Sequence, residues 1–359
     1  MEGYTGKQHM ASVIDGMKTD RLPVRGMVNL REGLKRTGIT GREINTRPDK
    51  YVEALVATQE VMPCDAVSIL VSDDLMQFEA AGPNLGLSYQ DILERRKSNI
   101  PLLQDKSLFA KFQLTDLKRG ERIHYFTEIV RRAAAAMPGV LLDTVFSIQW
   151  GTATRLRGIE NLIFDTMDDP GFVQALLQFA YEYNRMVVDA LVEAGTGMVT
   201  FGAPTAGCSV ISPTMFRELA RPSFDRIFSH VRSRTQTPIC LHICGYTDPI
   251  IEDLVGLNVD VLSIDAPTSL KKAAEASRGR VAIEGNFPGE LYIDGPKDAI
   301  EAKVKESIAI AAVPNAYKYI LCSGCQIPDN TPVEHIQHFL ECGRRYQRYD
   351  QMAALPVPP

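Results

Sequence analysis

The sequence contains no apolar run of the length a bilayer span requires, so a helical membrane anchor is not expected. It has no basic excess either. Lys and Arg number 39 against 44 Asp and Glu, for a net charge of −5, and a nucleic-acid partner is not expected. Met1-Glu2-Gly3-Tyr4-Thr5 lacks the apolar core of a secretory signal, so a cytoplasmic location is expected. No Gly-x-Gly-x-x-Gly turn follows a first strand, which removes the usual dinucleotide-binding signature. Tryptophan is nearly absent, with Trp150 alone. The seven cysteines are an odd number, and without a secretory signal they read as free or metal-bound thiols in a reducing compartment. What is present is ordinary for a globular enzyme: 45% hydrophobic and 23% charged residues over 359 positions.

The most informative stretch is Pro238-Ile239-Cys240-Leu241-His242-Ile243-Cys244-Gly245. It reads as a buried strand that breaks at a glycine. Side chains alternate along a strand, so His242 and Cys244 share a face and together form half of a zinc site. The natural source of a third ligand is Cys322-Ser323-Gly324-Cys325-Gln326, another strand end passing into a loop. The competing reading is plain burial, since cysteine is among the most buried residue types and a histidine in a strand is often a core residue.

Short apolar runs recur between helical patterns. Strands are expected at Val24 to Leu30, Ala66 to Val71, the later half of Val140 to Trp150, and Met198 to Phe201. Four more follow: the His242 stretch, Val259 to Ile264, Val281 to Glu284, and Tyr319 to Cys322. Between them lie helical segments such as 49–62, 121–137, 170–194 and 332–349, with proline or glycine at their ends. Residues 75–120 are mixed. The alternation predicts an α/β fold, a (β/α)8 TIM barrel as a single domain over 1–359, with an N-terminal helical extension over 1–20 and a tail over 350–359. In such barrels functional groups gather at the C-terminal strand ends, where His242, Cys244, Cys325, Asp73, Asp265 and Asn286 all fall.

From Arg21-Leu22-Pro23-Val24 to about Arg345 the chain resembles the uroporphyrinogen decarboxylase superfamily. The resemblance rests on Val71-Ser72-Asp73-Asp74-Leu75 with Ala80-Ala81-Gly82, and on Ile211-Ser212-Pro213 with Phe216. It continues through His242-Ile243-Cys244-Gly245, Gly285-Asn286 and the run Gly324-Cys325-Gln326-Ile327-Pro328. The family fold it implies is the same barrel. The decarboxylases carry Arg-Gln-Ala-Gly-Arg after the first strand. Here Val28-Asn29-Leu30-Arg31-Glu32 stands in that place, without the arginines that hold substrate carboxylates. Asp73 does match the decarboxylase aspartate.

The other branch is similar to the zinc methyltransferases that act on corrinoids, the methylcobamide:coenzyme M methyltransferases among them. Their His-x-Cys…Cys motif is matched by His242, Cys244 and Cys325, which implies Zn2+ as cofactor, with Cys322 read as a strand residue rather than a fourth ligand. The chain departs from many relatives at Gly202-Ala203-Pro204-Thr205-Ala206, where an acidic residue often precedes the proline. No Asp-x-His-x-x-Gly cobalamin-binding stretch occurs, so the cobalamin is expected on a corrinoid protein or as a free cofactor. The reading this implies is methyl transfer from a small donor, such as a methoxylated aromatic, onto the corrinoid. A coenzyme M-type reaction, uroporphyrinogen decarboxylation and a corrinoid-binding module without turnover are the alternatives. Asp73 and Asp265 are candidate acid/base groups. Asn286, Trp150 and Tyr246 are candidate substrate contacts, with Phe146, Tyr125 and Phe287 as further possible aromatic walls.

Overall fold

Seven short apolar segments pair in chain order as one parallel sheet: β1 (Ala66–Leu70), β2 (Leu141–Ser147), β3 (Met198–Gly202), β4 (Ile239–Ile243), β5 (Val261–Ile264), β6 (Ala282–Phe287) and β7 (Tyr319–Ser323). The computed structural model describes residues 3–16, 19–71, 74–352 and 354–355. β4, β5, β6 and β7 are buried along their whole length, which explains why they read as continuous apolar runs rather than as alternating patterns. Helices cover the sheet between successive strands. They include Glu121–Ala136, Pro170–Glu193, Arg221–Arg234 and Lys297–Ala311, and Val333–Tyr346 follows β7. Phe201 of β3 packs on Phe228 with ring centres 5.4 Å apart, and Phe287 of β6 packs on Phe339 at 4.8 Å. These aromatic pairs tie the sheet to its outer helices.

The expected eighth strand is a correction. Among the described residues, Val24 to Leu30 contributes a single bridge, Val24 to Leu321. Leu321 N–H donates to Pro23 O at 3.2 Å and Arg25 N–H to Leu321 O at 2.9 Å. On the other side Asp65 N–H donates to Val24 O at 3.0 Å, so residues 23–25 join the two edges of the sheet. The ladder stops there for a local reason. Pro23 has no N–H to offer, and beyond Gly26 the partner of Met27 N–H is the Ser323 hydroxyl (3.0 Å), not a strand carbonyl.

Most helix limits follow their end signals. Thr5 forms a capping box with Gln8 at the start of the helix Gly6–Asp15, which is the expected N-terminal extension. Asp169 accepts from Phe172 N–H and Pro170 opens the longest helix, Pro170–Glu193. The N-terminal segment is anchored by Asp65. Its carboxylate receives both guanidinium nitrogens of Arg21 (2.6 and 2.8 Å) and Val24 N–H (2.7 Å). Several helices had no sequence forecast, among them Arg31–Thr37, Gly41–Thr46, Gln149–Arg157, Ile159–Asp168 and Gly289–Asp294. No helix among the described residues is long and apolar enough to cross a membrane.

Candidate metal centre

Strand register sets the geometry. Gly202, His242 and Ser263 lie side by side on β3, β4 and β5. His242 is buried, with Nδ1 3.0 Å from Ser263 Oγ. With the Nδ1 proton given to that hydroxyl, Nε2 presents its lone pair to the strand ends. Cys244 follows one residue beyond β4, on the same face as His242, and its Sγ lies 3.4 Å from Nε2. Cys325 follows two residues beyond β7, with its Sγ 3.8 Å from that of Cys244. All three ligand atoms fall within 4.8 Å of one another.

These separations test whether zinc fits. Tetrahedral bonds of about 2.3 Å to sulfur and 2.05 Å to nitrogen place two sulfurs about 3.8 Å apart, and a sulfur and a nitrogen about 3.6 Å apart. The observed 3.8 and 3.4 Å are such edges. Three donors leave one position for a substrate atom. The thiols are also biased electrically. Contact with the Cys244 thiol, then with the His242 ring, lowers the Cys325 thiol to about 4, while contact with Cys325 and burial push Cys244 up. The direction of these shifts favours a thiolate at Cys325, the form in which sulfur binds a cation.

Loops around the trio are fastened by groups that sequence reasoning had assigned other tasks. Asp265 accepts from Gly245 N–H and Ala266 N–H, both at 2.7 Å, and so holds the turn that carries Cys244. Gly324 lets the β7 loop approach this turn: a Cβ there would sit 2.7 Å from Ala266 N and 3.1 Å from Asp265 Oδ1. Asn286 is buried and donates to Thr268 O at 2.7 Å, and the Thr268 hydroxyl donates to Gly245 O at 2.9 Å. Tyr246 is 40% exposed beside the trio. Trp150 is fully buried on the helix Gln149–Arg157 and donates to Thr205 O at 3.2 Å, so its ring packs in the core. Phe146, Tyr125 and Phe287 are core residues as well. Asp73 lies outside the described residues. Cys322 is fully buried on β7 and does not join the trio, and burial followed by the charge of Glu284 pushes its thiol far up.

A buried ionic cluster in the sheet was not anticipated. Arg25 donates to Asp143 of β2 (2.8 Å), Glu284 of β6 (3.3 Å) and the Ser68 hydroxyl of β1 (2.6 Å). Thr200 of β3 donates to the other Asp143 oxygen at 2.6 Å. One visible signal was an acidic residue inside each of two apolar strands, Leu-Leu-Asp143-Thr-Val and Ala-Ile-Glu284-Gly. On the outer helices Glu301, His338 and Cys342 also converge, but Glu301 already accepts from Lys305 at 2.6 Å and Tyr346 at 2.5 Å.

The family model "Uroporphyrinogen decarboxylase (URO-D)" matches residues 5–346. The methylcobamide:CoM methyltransferase MtaA of Methanosarcina barkeri is 22% identical over 356 residues, covering 96% of this chain and 99% of its own. The uroporphyrinogen decarboxylase of Xanthomonas campestris pv. campestris (strain B100) is 33% identical over 275 residues, covering 73% of each. A solved methyltransferase from Methanosarcina mazei shares the fold with TM-score 0.75 at 21% identity, over 96% of this chain and 99% of that one. With nearly its whole length matched by the family model, and with relatives on both branches, the chain belongs to the uroporphyrinogen decarboxylase family.

Proposed function

We propose that the chain is a zinc-dependent methyltransferase that passes a methyl group from a methylated corrinoid to a small thiol. The observation that carries this is the trio His242, Cys244 and Cys325, whose spacing has the edges of a tetrahedral zinc site. The relatives named as methylcobamide:CoM methyltransferases support the direction toward a thiol. Demethylation of a methoxylated aromatic has no comparable support. The reaction balances as thiol plus methyl–cobalt(III) corrinoid giving thioether, cobalt(I) corrinoid and a proton.

Zinc held by His242 Nε2, Cys244 Sγ and Cys325 Sγ would supply Lewis acidity that keeps the acceptor thiol as its more nucleophilic thiolate. The chain's own groups do the positioning. Ser263 orients the His242 ring, Asp265 fixes the turn bearing Cys244, and Gly324 admits the Cys325 loop. Half-buried sulfurs at the strand ends keep the reacting atoms away from bulk water on one side while leaving an approach for the corrinoid, free or on a partner protein.

A second reading, uroporphyrinogen decarboxylation, is favoured by the 33% identity to the Xanthomonas enzyme. Val28 and Glu32 in place of carboxylate-holding arginines count against it. The deciding experiment incubates metal-loaded protein with methylcobalamin and a panel of small thiols, following cob(I)alamin and thioether, with uroporphyrinogen in a parallel reaction. Thiol-dependent demethylation of methylcobalamin that is lost in Cys325→Ala is expected. Loss of acetate carboxyls from uroporphyrinogen, with no methyl transfer, would select the second reading.

A further inference from the structure

A cavity of about 550 Å³ opens between the helices Asp74–Ala81, Tyr89–Lys97 and Gln149–Arg157. Its floor includes Ser147, the last residue of β2. Ser147 pairs with Gly202, and Gly202 with His242. Two strand spacings therefore separate this floor from the metal-ligating histidine, about 10 Å along the rim. A ligand lying in the cavity could present one end to the metal trio.

Its walls combine two chemistries. Ile92, Leu102, Leu156 and Ile159 supply apolar surface. Among the described lining residues, Arg95, Arg96 and Arg155 supply three positive charges against the carboxylate of Asp74. That carboxylate is shared: Arg155 Nε is bonded to one oxygen, and Arg96 Nε lies 3.7 Å from the other. Arg95 donates to Pro101 O at 3.2 Å. The described lining residues thus hold an excess of two positive charges beside apolar wall, on helices at the C-terminal ends of the strands. A short thiol alone would fill little of this volume.

We infer that the cavity selects the non-corrinoid substrate as a thiol-bearing organic acid, an apolar body with the thiol at its metal end and a carboxylate at the other, with Arg95, Arg96 and Arg155 as specificity residues. This rests on the methyl-transfer reading for what happens at the metal end, but binding itself does not depend on it. Arg155 and Arg96 exchange part of their pairing with Asp74 for the ligand carboxylate, which makes planar bidentate contacts with guanidinium. Asp74 then acts as the competitor that the ligand must displace.

The test uses Trp150, the single tryptophan, on the same helix as Arg155. Its fluorescence is titrated with benzoate, phenylacetate, neutral benzamide and inorganic phosphate at fixed ionic strength. Benzoate and phenylacetate should bind at least tenfold more tightly than benzamide and phosphate. Arg155→Gln and Arg96→Gln should each weaken benzoate about tenfold, the scale of one charge-assisted hydrogen bond, and leave benzamide unchanged. Asp74→Asn should tighten benzoate, an opposite sign that general loss of structure would not produce. Equal binding of benzamide or phosphate, or benzoate affinity unmoved in both arginine variants, overturns the assignment. Carboxylate-selective binding without any methyl transfer would sink the functional reading alone. Methyl transfer to thiols without carboxylate preference would sink the cavity assignment alone.

Discussion

Ser263 Oγ stands 3.0 Å from His242 Nδ1, on the strand next to β4 and in register with it. The hydroxyl fixes which ring nitrogen faces the two sulfurs. Ser263→Ala should leave the fold intact and lower zinc affinity by about 10- to 100-fold, as loss of a ligand's supporting partner does. A chelator-competition titration measures this, and unchanged affinity would mean that packing alone orients the ring.

The choice of thiol is tested by metal content. Cys325→Ala should lose stoichiometric zinc, whereas Cys322→Ala should keep it, because Cys322 is fully buried on β7 and apart from the trio. Elemental analysis of protein prepared without chelator gives the answer. Zinc kept by the first variant and lost by the second would assign the wrong sulfur.

Asp65 makes stability depend on acid. Burial alone would raise its carboxyl, but the Arg21 guanidinium and the Val24 N–H hold it at about 2, below the ordinary 3.8. Between these values the unfolded chain binds the proton more readily, so the contribution is complete above the unfolded value and disappears as pH falls through the folded one. The difference corresponds to about 2 kcal/mol. Asp65→Asn should therefore unfold about 2 kcal/mol more easily at pH 7 and show little deficit near pH 2. Denaturant melts across that range measure it, and a constant deficit would remove the electrostatic explanation.

Arg25 is the cation between two buried carboxylates, Asp143 and Glu284. Arg25→Met leaves both without their partner, at a cost of about 3–5 kcal/mol. Arg25→Met combined with Asp143→Asn and Glu284→Gln should recover part of that loss. Equilibrium unfolding in urea reads both effects. No recovery in the combined variant would show that the cluster acts through packing.

The parts legible in sequence were those written locally. β4 and β7 appear as apolar runs stopped by Gly245 and Gly324, and the convergence of His242, Cys244 and Cys325 follows from where those runs stop. Val24 to Leu30 looks apolar enough for a strand, but hydrophobicity does not register that Pro23 lacks a donor and that Met27 N–H bonds the Ser323 hydroxyl instead of a strand carbonyl. The helix Gln149–Arg157 was hidden because apolar residues continue past Ser147 through Ile148 and Trp150 and no side chain caps its start. Trp150 consequently read as a pocket wall. The Arg25 cluster joins positions 118 and 259 residues apart, a distance at which pattern reading has no purchase.

The seam at Val24 also sets an order of assembly. β1 to β7 pair with their chain neighbours and can add one after another as the polypeptide emerges. Val24 must instead wait for Leu321, so the ring of strands cannot shut during synthesis until nearly the whole chain is available. Cys325 lies just beyond Leu321, on the loop that this last strand delivers. A nascent chain therefore carries none of the trio until His242 is made and two of its three members while the next strands are added, and it completes the trio only when Cys325 follows.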